Sequence, residues 1–272
     1  MNICVLGGFG ILGSRLSIFL ESRGHNVINL GKSEEKIKWY LSNISVNSII
    51  NLAALTNVDL CEQKPMQAYQ SNVEPLKKIL KYVKKETFLI HISTDQVYSG
   101  FGPHSENEKA SPCNVYGSTK YEAELIARQL NAAILRTNYV AKSFHPEKIS
   151  FSDWFINSLR LKKNITLFDD IKFNPIHGDF LCEMILNFAE SSIKGTYNLG
   201  SSECITKANF CIELAKRLNL DLSTIKIGPS PTNSSRALRP KDMHLEIKKI
   251  EELGFKMPSI SKTIDLLAKE YT

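Results

Sequence analysis

Tyr116 and Lys120 stand as Tyr-x-x-x-Lys in the segment VYGSTKYEAELIARQL. Four residues make about one helical turn, so both side chains would leave one face of a helix. An ammonium beside a phenol favours the phenolate and lowers a tyrosine pKa from its usual value of about 10. Such a phenol can protonate an alkoxide forming on a substrate ketone. The same spacing also fits a solvated helix face, so the pair needs a partner. That partner lies upstream in HISTDQVY, residues 91–98, where an apolar strand ends in Ser93 and Thr94. A hydroxyl at the carboxyl end of a strand sits where parallel sheets hold their ligands. Thr94 is placed to donate to the same carbonyl oxygen, with Ser93 as competitor. Both hydroxyls could instead bond the backbone of a turn.

A redox partner for that chemistry is written at the N-terminus. The apolar run MNICVL (1–6) reads as a strand, Gly7, Gly10 and Gly13 follow in GGFGILG, and residues 14–23 read as a helix. Glycines at this spacing between strand and helix permit a tight turn and a close backbone approach. The helix start offers free N–H groups to a dinucleotide pyrophosphate. Gly7, Phe9, Gly10, Ile11, Leu12 and Gly13 are therefore candidate cofactor contacts. A site for NAD usually offers a carboxylate to the ribose after the second strand. Here that strand, 26–30, is followed by Gly31, Lys32 and Ser33, with no acid before Glu34. Lys32 and Ser33, assisted by Arg15, suit a 2′-phosphate, so NADPH is the preferred cofactor and NADH an acceptable one.

The elements that must position these groups alternate. Strands are expected at 26–30, 48–54, 87–92 and 132–136, with helices at 33–42, 66–85 and 115–130 between them. Strands separated by helices imply a doubly wound parallel sheet, a Rossmann-type α/β fold, with ligands beyond the strand ends. After Tyr139 the pattern loosens. Helices are expected at 151–161, 178–189, 205–218, 243–253 and 260–269, and strands at 165–168 and 195–200. A loop spans 169–177 and a flexible segment 228–233. This predicts a dinucleotide-binding domain of 1–140 plus about 176–200, and a smaller interleaved substrate lobe of 141–175 and 201–272.

Composition narrows the class. Net charge is +6 over 272 residues. The densest lysines, Lys77, Lys78, Lys81, Lys84 and Lys85, alternate with Leu76, Ile79, Leu80 and Val83 as the wet face of an amphipathic helix does. Nucleic acid is thus not the expected partner, whereas an anionic small substrate suits a mild positive field. No apolar stretch approaches the roughly 20 residues that cross a bilayer, and no basic-then-apolar leader precedes the first strand. The expected setting is cytoplasmic, with no membrane. The six cysteines form no C-x-x-C pair and have no histidine at zinc spacing, so neither disulfides nor a metal is expected. Cys4 and Cys211 read as buried thiols. His25, His91, His104, His145 and His244 read as structural or solvated.

Further segments recur in a fixed order: NLAALTNVD (51–59), Asn72-Val73, STDQVY (93–98), YGSTK (116–120), LRTNYV (135–140), NPIHGD (174–179), GTYNLG (195–200) and Arg239-Pro240. With the glycine turn they resemble the extended short-chain dehydrogenase/reductase family. Within it, they resemble the dTDP-4-dehydrorhamnose reductase-like nucleotide-sugar reductases of surface polysaccharide biosynthesis. The resemblance implies a catalytic trio of Thr94, Tyr116 and Lys120, with Tyr116 protonating the C4 oxygen of a 4-keto sugar and Lys120 holding the nicotinamide ribose. It implies cofactor contacts from Asn51, Ala53, Ala54 and Thr56, with Asn72 packed nearby. It implies substrate contacts from Asp95, Gln96, Tyr139, Asn174, Pro175 and His177, and a diphosphate contact from Arg239. A homodimer through helices flanking the sheet is compatible with it.

The chain departs from those reductases on the substrate side. Gln96-Val97-Tyr98-Ser99-Gly100 stands for Tyr-Val-Phe-Asp-Gly, Tyr139 for a frequent Trp and His177 for a frequent Tyr. The alternatives are an epimerase or dehydratase, disfavoured because Gln96 stands where a cysteine or second acid is wanted, and a dinucleotide-binding regulatory subunit without activity.

Overall fold

The computed structural model describes residues 1–31, 33–145, 147–231 and 236–272. The first half runs β1 (Asn2–Leu6), α1 (Ile11–Ser22), β2 (Asn26–Leu30), α2 (Glu34–Asn43), β3 (Ser48–Asn51), α3 (Val58–Gln63), α4 (Pro65–Asn72), α5 (Glu74–Tyr82), β4 (Phe88–Thr94), α6 (Val115–Ala127) and β5 (Ala132–Thr137). The second half runs β6 (Tyr139–Val140), α7 (Phe151–Arg160), β7 (Ile165–Phe168), β8 (Lys172–Phe173), β9 (Ile176–His177), α8 (Gly178–Ser191), β10 (Gly195–Leu199), β11 (Ile205–Thr206), α9 (Lys207–Arg217), β12 (Ile225–Gly228), β13 (Asp242–Met243), α10 (Lys248–Glu251) and α11 (Ile260–Lys269).

Six strands form one parallel sheet in the order β10-β5-β4-β3-β1-β2. Period-two alternation sorts its side chains. Ile3 and Val5 face α1 and α8, while Cys4 and Leu6 face the layer of α2, α5 and α6. Every residue of β3, β4 and β5 is buried, as a sheet covered on both faces requires. The order reverses between β1 and β3, so the crevice beyond their carboxyl ends is where a ligand fits. This is the α/β doubly wound fold expected from the alternation of strands and helices.

A second core joins α7, α9, α11, β7 and β8 through Phe155, Phe173, Phe210, Leu214 and Leu267. Two small sheets, β11-β8-β13 and β12-β7, edge it. The tail around α10 returns to the first core through Ile247, Ile250, Phe255 and Met257.

Three expected elements differ. The single helix over 66–85 is two, α4 and α5, because Pro75 lacks the N–H that would continue the ladder and instead opens the second helix. The break leaves buried Asn72 free to accept from Leu55 N at 2.6 Å and donate to Thr119 Oγ1 at 2.9 Å, tying the loop after β3 to α6. The helix expected over 243–253 starts late: residues 243–246 are extended, since their backbone bonds elsewhere, His104 N donating to His244 O and Glu246 N to His104 O. Only α10 remains helical there. The loop 169–177 contains β8 and β9. In the segment 228–233, Ser230 is tied to Asp170 by N–H and hydroxyl bonds of 2.8 and 3.0 Å, and Thr232 and Asn233 lie outside the described residues. All six cysteines are free, and Cys4 and Cys211 are buried.

Candidate active site

The glycine turn is held by contacts that no side chain could share. Gly7 has a φ of +82°, and a Cβ there would meet the Leu52–Ala53 peptide at 2.9 Å. A Cβ on Gly13 would come within 2.1 Å of Gly7 O. Gly10 caps α1 without a side-chain acceptor, so the first N–H groups of a twelve-residue helix point into open space. A cavity of about 410 Å³ opens there, lined by Gly7, Gly10 to Gly13, Leu52, Ala54 to Asn57, Ile92, Ser93, Tyr116, Lys120, Thr137, Tyr139 and Lys148. Its walls are the carboxyl ends of β1, β3, β4 and β5. Uncapped donors, a glycine cradle and an open cavity at the strand ends fit a dinucleotide.

A second cavity of about 370 Å³ adjoins it, lined by Thr94, Asp95, Gln96, Asn138, Val140, Ala141 and Ile149 to Ser152. Ile11, Thr56, Tyr116, Thr137 and Tyr139 belong to both walls. The Tyr116 ring thus stands at the junction, presented by the first turn of α6. Asn114 caps that helix through Gly117 N at 2.8 Å, and its amide donates to Gln96 Oε1 and Leu238 O.

Burial governs protonation here. Tyr116 is 8 % and Lys120 2 % exposed. Burial raises the Tyr116 phenol above its ordinary value; the Thr94 hydroxyl opposes that rise, and the Asp95 charge adds to it. The lowering by Lys120 expected from the Tyr-x-x-x-Lys spacing is not the dominant effect. Lys120 Nζ donates instead to Ile92 O at 2.6 Å, and burial brings its pKa down to about 8 against the pull of Glu124. Beneath the cleft, Glu124 is fully buried and takes Arg136 through bonds of 2.9 and 2.6 Å. It also accepts the Ser93 hydroxyl at 2.5 Å. Ser93 therefore commits its one proton to Glu124, leaving Thr94 as the hydroxyl of the second cavity.

A model of the RmlD substrate binding domain matches residues 1–272 of the sequence. This chain belongs to that family. Among relatives of this RmlD-type chain, a probable low-salt glycan biosynthesis reductase of Haloferax volcanii is 27% identical over 99% of the chain and 97% of its own length. Methionine adenosyltransferase 2 subunit beta of Mus musculus is 27% identical, over 93% of the chain and 82% of its own length. The crystal structure of a dTDP-4-dehydrorhamnose reductase of Bacillus anthracis in complex with NADP superimposes with a TM-score of 0.89 at 23% identity, over 99% of both chains. The fold is that of these Rossmann-like reductases.

Within this RmlD-type fold the expected site residues divide. Gly7, Gly10, Ile11, Leu12, Gly13, Ala54, Thr56, Tyr116 and Lys120 line the first cavity, and Thr94, Asp95, Gln96 and Tyr139 the second. Phe9 is 66 % exposed and lines neither cavity, and its carbonyl accepts Lys148 Nζ at 3.0 Å. Asn51 is buried behind the wall, donating to His91 Nδ1 and accepting Ala53 N. Ser33 caps α2, and Lys32 lies outside the described residues.

Two expected substrate contacts are occupied elsewhere. The Asn174 amide donates to Ser201 O and Leu245 O, and its oxygen accepts Leu245 N. His177 caps α8 and faces Glu270 at 3.4 Å, walled off from both cavities. Arg15, expected near the 2′-phosphate, is instead buried between Asp179 and Glu270. Arg239 forks onto Asp59 with bonds of 2.9 and 2.8 Å. It also lines a further 400 Å³ cavity with Lys207, Arg236, Lys241, Phe168 and Trp154. That cavity meets the second one at Phe151. Lys148 and Lys207 carry no pattern in the sequence that marks them, because only tertiary contact brings them to the cleft. Among the described residues no helix is long and apolar enough to cross a membrane.

Proposed function

We propose that this chain reduces the 4-keto group of a nucleotide-activated deoxysugar with NADPH, in surface glycan synthesis. The observation that carries the reading is Tyr116 at the junction of two cavities, one built on the glycine turn and one on Thr94, Asp95 and Gln96. Gly7, Gly10, Gly13, Ala54, Thr56 and Lys120 would hold the dinucleotide. A reduced nicotinamide bound there would supply hydride chemistry at the ketone carbon. Tyr116, neutral because it is buried, gives its phenolic proton to the oxygen as charge develops there. Lys120, fixed by Ile92 O, lies one turn away on the same helix face and steadies the phenolate left behind. Thr94 offers a hydroxyl to the same oxygen.

The cavity beside Trp154 and Phe168 suits a nucleoside diphosphate, with Lys207 and Arg236 for phosphate and rings for a base, while Arg239 and Lys241 on its wall are paired with Asp59 and Asp170. NADPH is favoured over NADH because no carboxylate stands between Leu30 and Glu34. The NADP complex of the Bacillus anthracis reductase supports the same choice. The likeness to a methionine adenosyltransferase subunit supports a second reading, a dinucleotide-binding regulatory subunit.

One assay separates the two: loss of NADPH absorbance with a panel of dTDP-, GDP-, CDP- and UDP-4-keto-6-deoxysugars. Turnover of one member is the expected result. A chain that binds NADPH and consumes none of them is the regulatory subunit.

A further inference from the structure

A hydroxyl has one proton to give. Thr94 Oγ1 gives its proton to Asp95 Oδ1 at 3.0 Å and accepts Gln96 N at 3.2 Å. While Asp95 is a carboxylate, that proton is held away from any substrate oxygen in the cavity. The other oxygen of Asp95 accepts Asn138 Nδ2 at 2.7 Å, so the carboxyl group is fixed in orientation. Asp95 is 1 % exposed and forms no ion pair among the described residues. Among the described residues, Lys207 of α9, which favours the carboxylate, and Tyr116 of α6 reach it. Arg239 acts on Lys207 in turn. Burial opposes the carboxylate and prevails over Asn138, Thr94 and Lys207, raising the Asp95 pKa.

We propose that Asp95 works as a neutral carboxylic acid during turnover, donating its own proton to Thr94 Oγ1 and so turning the Thr94 proton toward the substrate oxygen. This rests on the reductase reading of the cleft and adds to it a positioning residue. Asp95 acts through Thr94, and its ionisation disarms that donor. The geometry makes Asp95→Asn the informative variant. An asparagine can keep its carbonyl toward Asn138 and present its amide to Thr94, as the neutral acid does.

The test is kcat and KM against pH for wild type, D95A and D95N, using the 4-keto sugar that wild type turns over. D95A loses kcat on the order of 100-fold, the cost of one misdirected oxyanion donor, and D95N restores at least about tenfold of that loss. Wild-type kcat falls on the alkaline side as Asp95 ionises, and D95N lacks that fall. If D95N is as impaired as D95A, or the substitutions change KM alone, Asp95 is a substrate contact and the proposal is overturned. If wild type turns over no sugar, the reductase reading fails separately, and ultraviolet difference titration of Tyr116, with Y116F subtracted, still decides. Asp95→Asn then lowers the phenol pKa further in the presence of Thr94 than in a T94V background. Equal shifts in both backgrounds overturn the proposal.

Discussion

Tyr116 and Lys120 are adjacent on one helix face, yet each is shifted chiefly by its own burial. The phenol is kept protonated and the ammonium pKa is brought down to about 8. Spacing within α6 made the pair visible in the sequence, because a helix converts i, i+4 into a shared face. The direction of the Tyr116 shift was not visible, because the groups that bury it, Leu55, Val58, Cys61, Ala68 and Ala237, come from distant parts of the chain. Thr94 and Ser93 are alike in sequence, and only Glu124, thirty-one positions from Ser93, separates their roles. Replacing Tyr116 by Phe removes the acid and little volume. Turnover should fall by about 10²–10⁴-fold, while fluorescence titration of NADPH shows unchanged affinity. Retained turnover would assign the proton to another group.

Elements carry the site through their ends. The turn from β1 to α1 works because three glycines let backbone touch backbone, and this was legible as a local motif. At Gly13 the contact is with Gly7 O and the Gly8 backbone, neither of which is a flexible side chain. Gly13→Ala should therefore displace the start of α1. The expected cost is about 1–3 kcal/mol in urea denaturation, with a weaker NADPH titration in the same variant. Unaltered stability and affinity would show that α1 can shift without harm. The split between α4 and α5 was written in Pro75 but masked by an unbroken amphipathic pattern. Residues 243–253 carry a helical pattern, yet 243–246 are extended and only α10 is helical. The backbone partner of His244 and Glu246 is His104, more than a hundred positions away, which no local pattern records.

At the scale of the whole molecule, the C-terminal helix is fastened to the half that carries the six-stranded sheet by Glu270. It accepts Arg15 at 2.5 Å and Lys142 N at 2.7 Å and faces His177. Burial alone would raise this carboxyl, but His177, the Lys142 N–H and Arg15 outweigh burial and hold it below its ordinary value. A carboxyl with a depressed folded pKa stabilises the fold above its unfolded pKa and loses that contribution as pH falls through the folded one. Glu270→Ala should cost about 3 kcal/mol at neutral pH, since it leaves buried Arg15 with Asp179 alone. The difference from wild type should shrink on acidification below the ordinary carboxylate range, in chemical denaturation run across pH. A constant difference would place the stabilisation in packing instead. Arg15 itself was misplaced in the sequence reading: its position just past the glycine turn pointed to phosphate, and the fold turns it toward α8 and α11. Asn174 and His177 were misjudged for a related reason, since polar side chains in a loop motif serve either a ligand or the backbone, and sequence does not say which. What the sequence determined by itself was local: strand–glycine–helix, Tyr-x-x-x-Lys, and an alternation that permits only a parallel sheet. What tertiary structure alone decided was which polar groups face open cleft and which are sealed in the core. Burial and long-range hydrogen bonds are properties of the packed chain and have no counterpart in spacing along it.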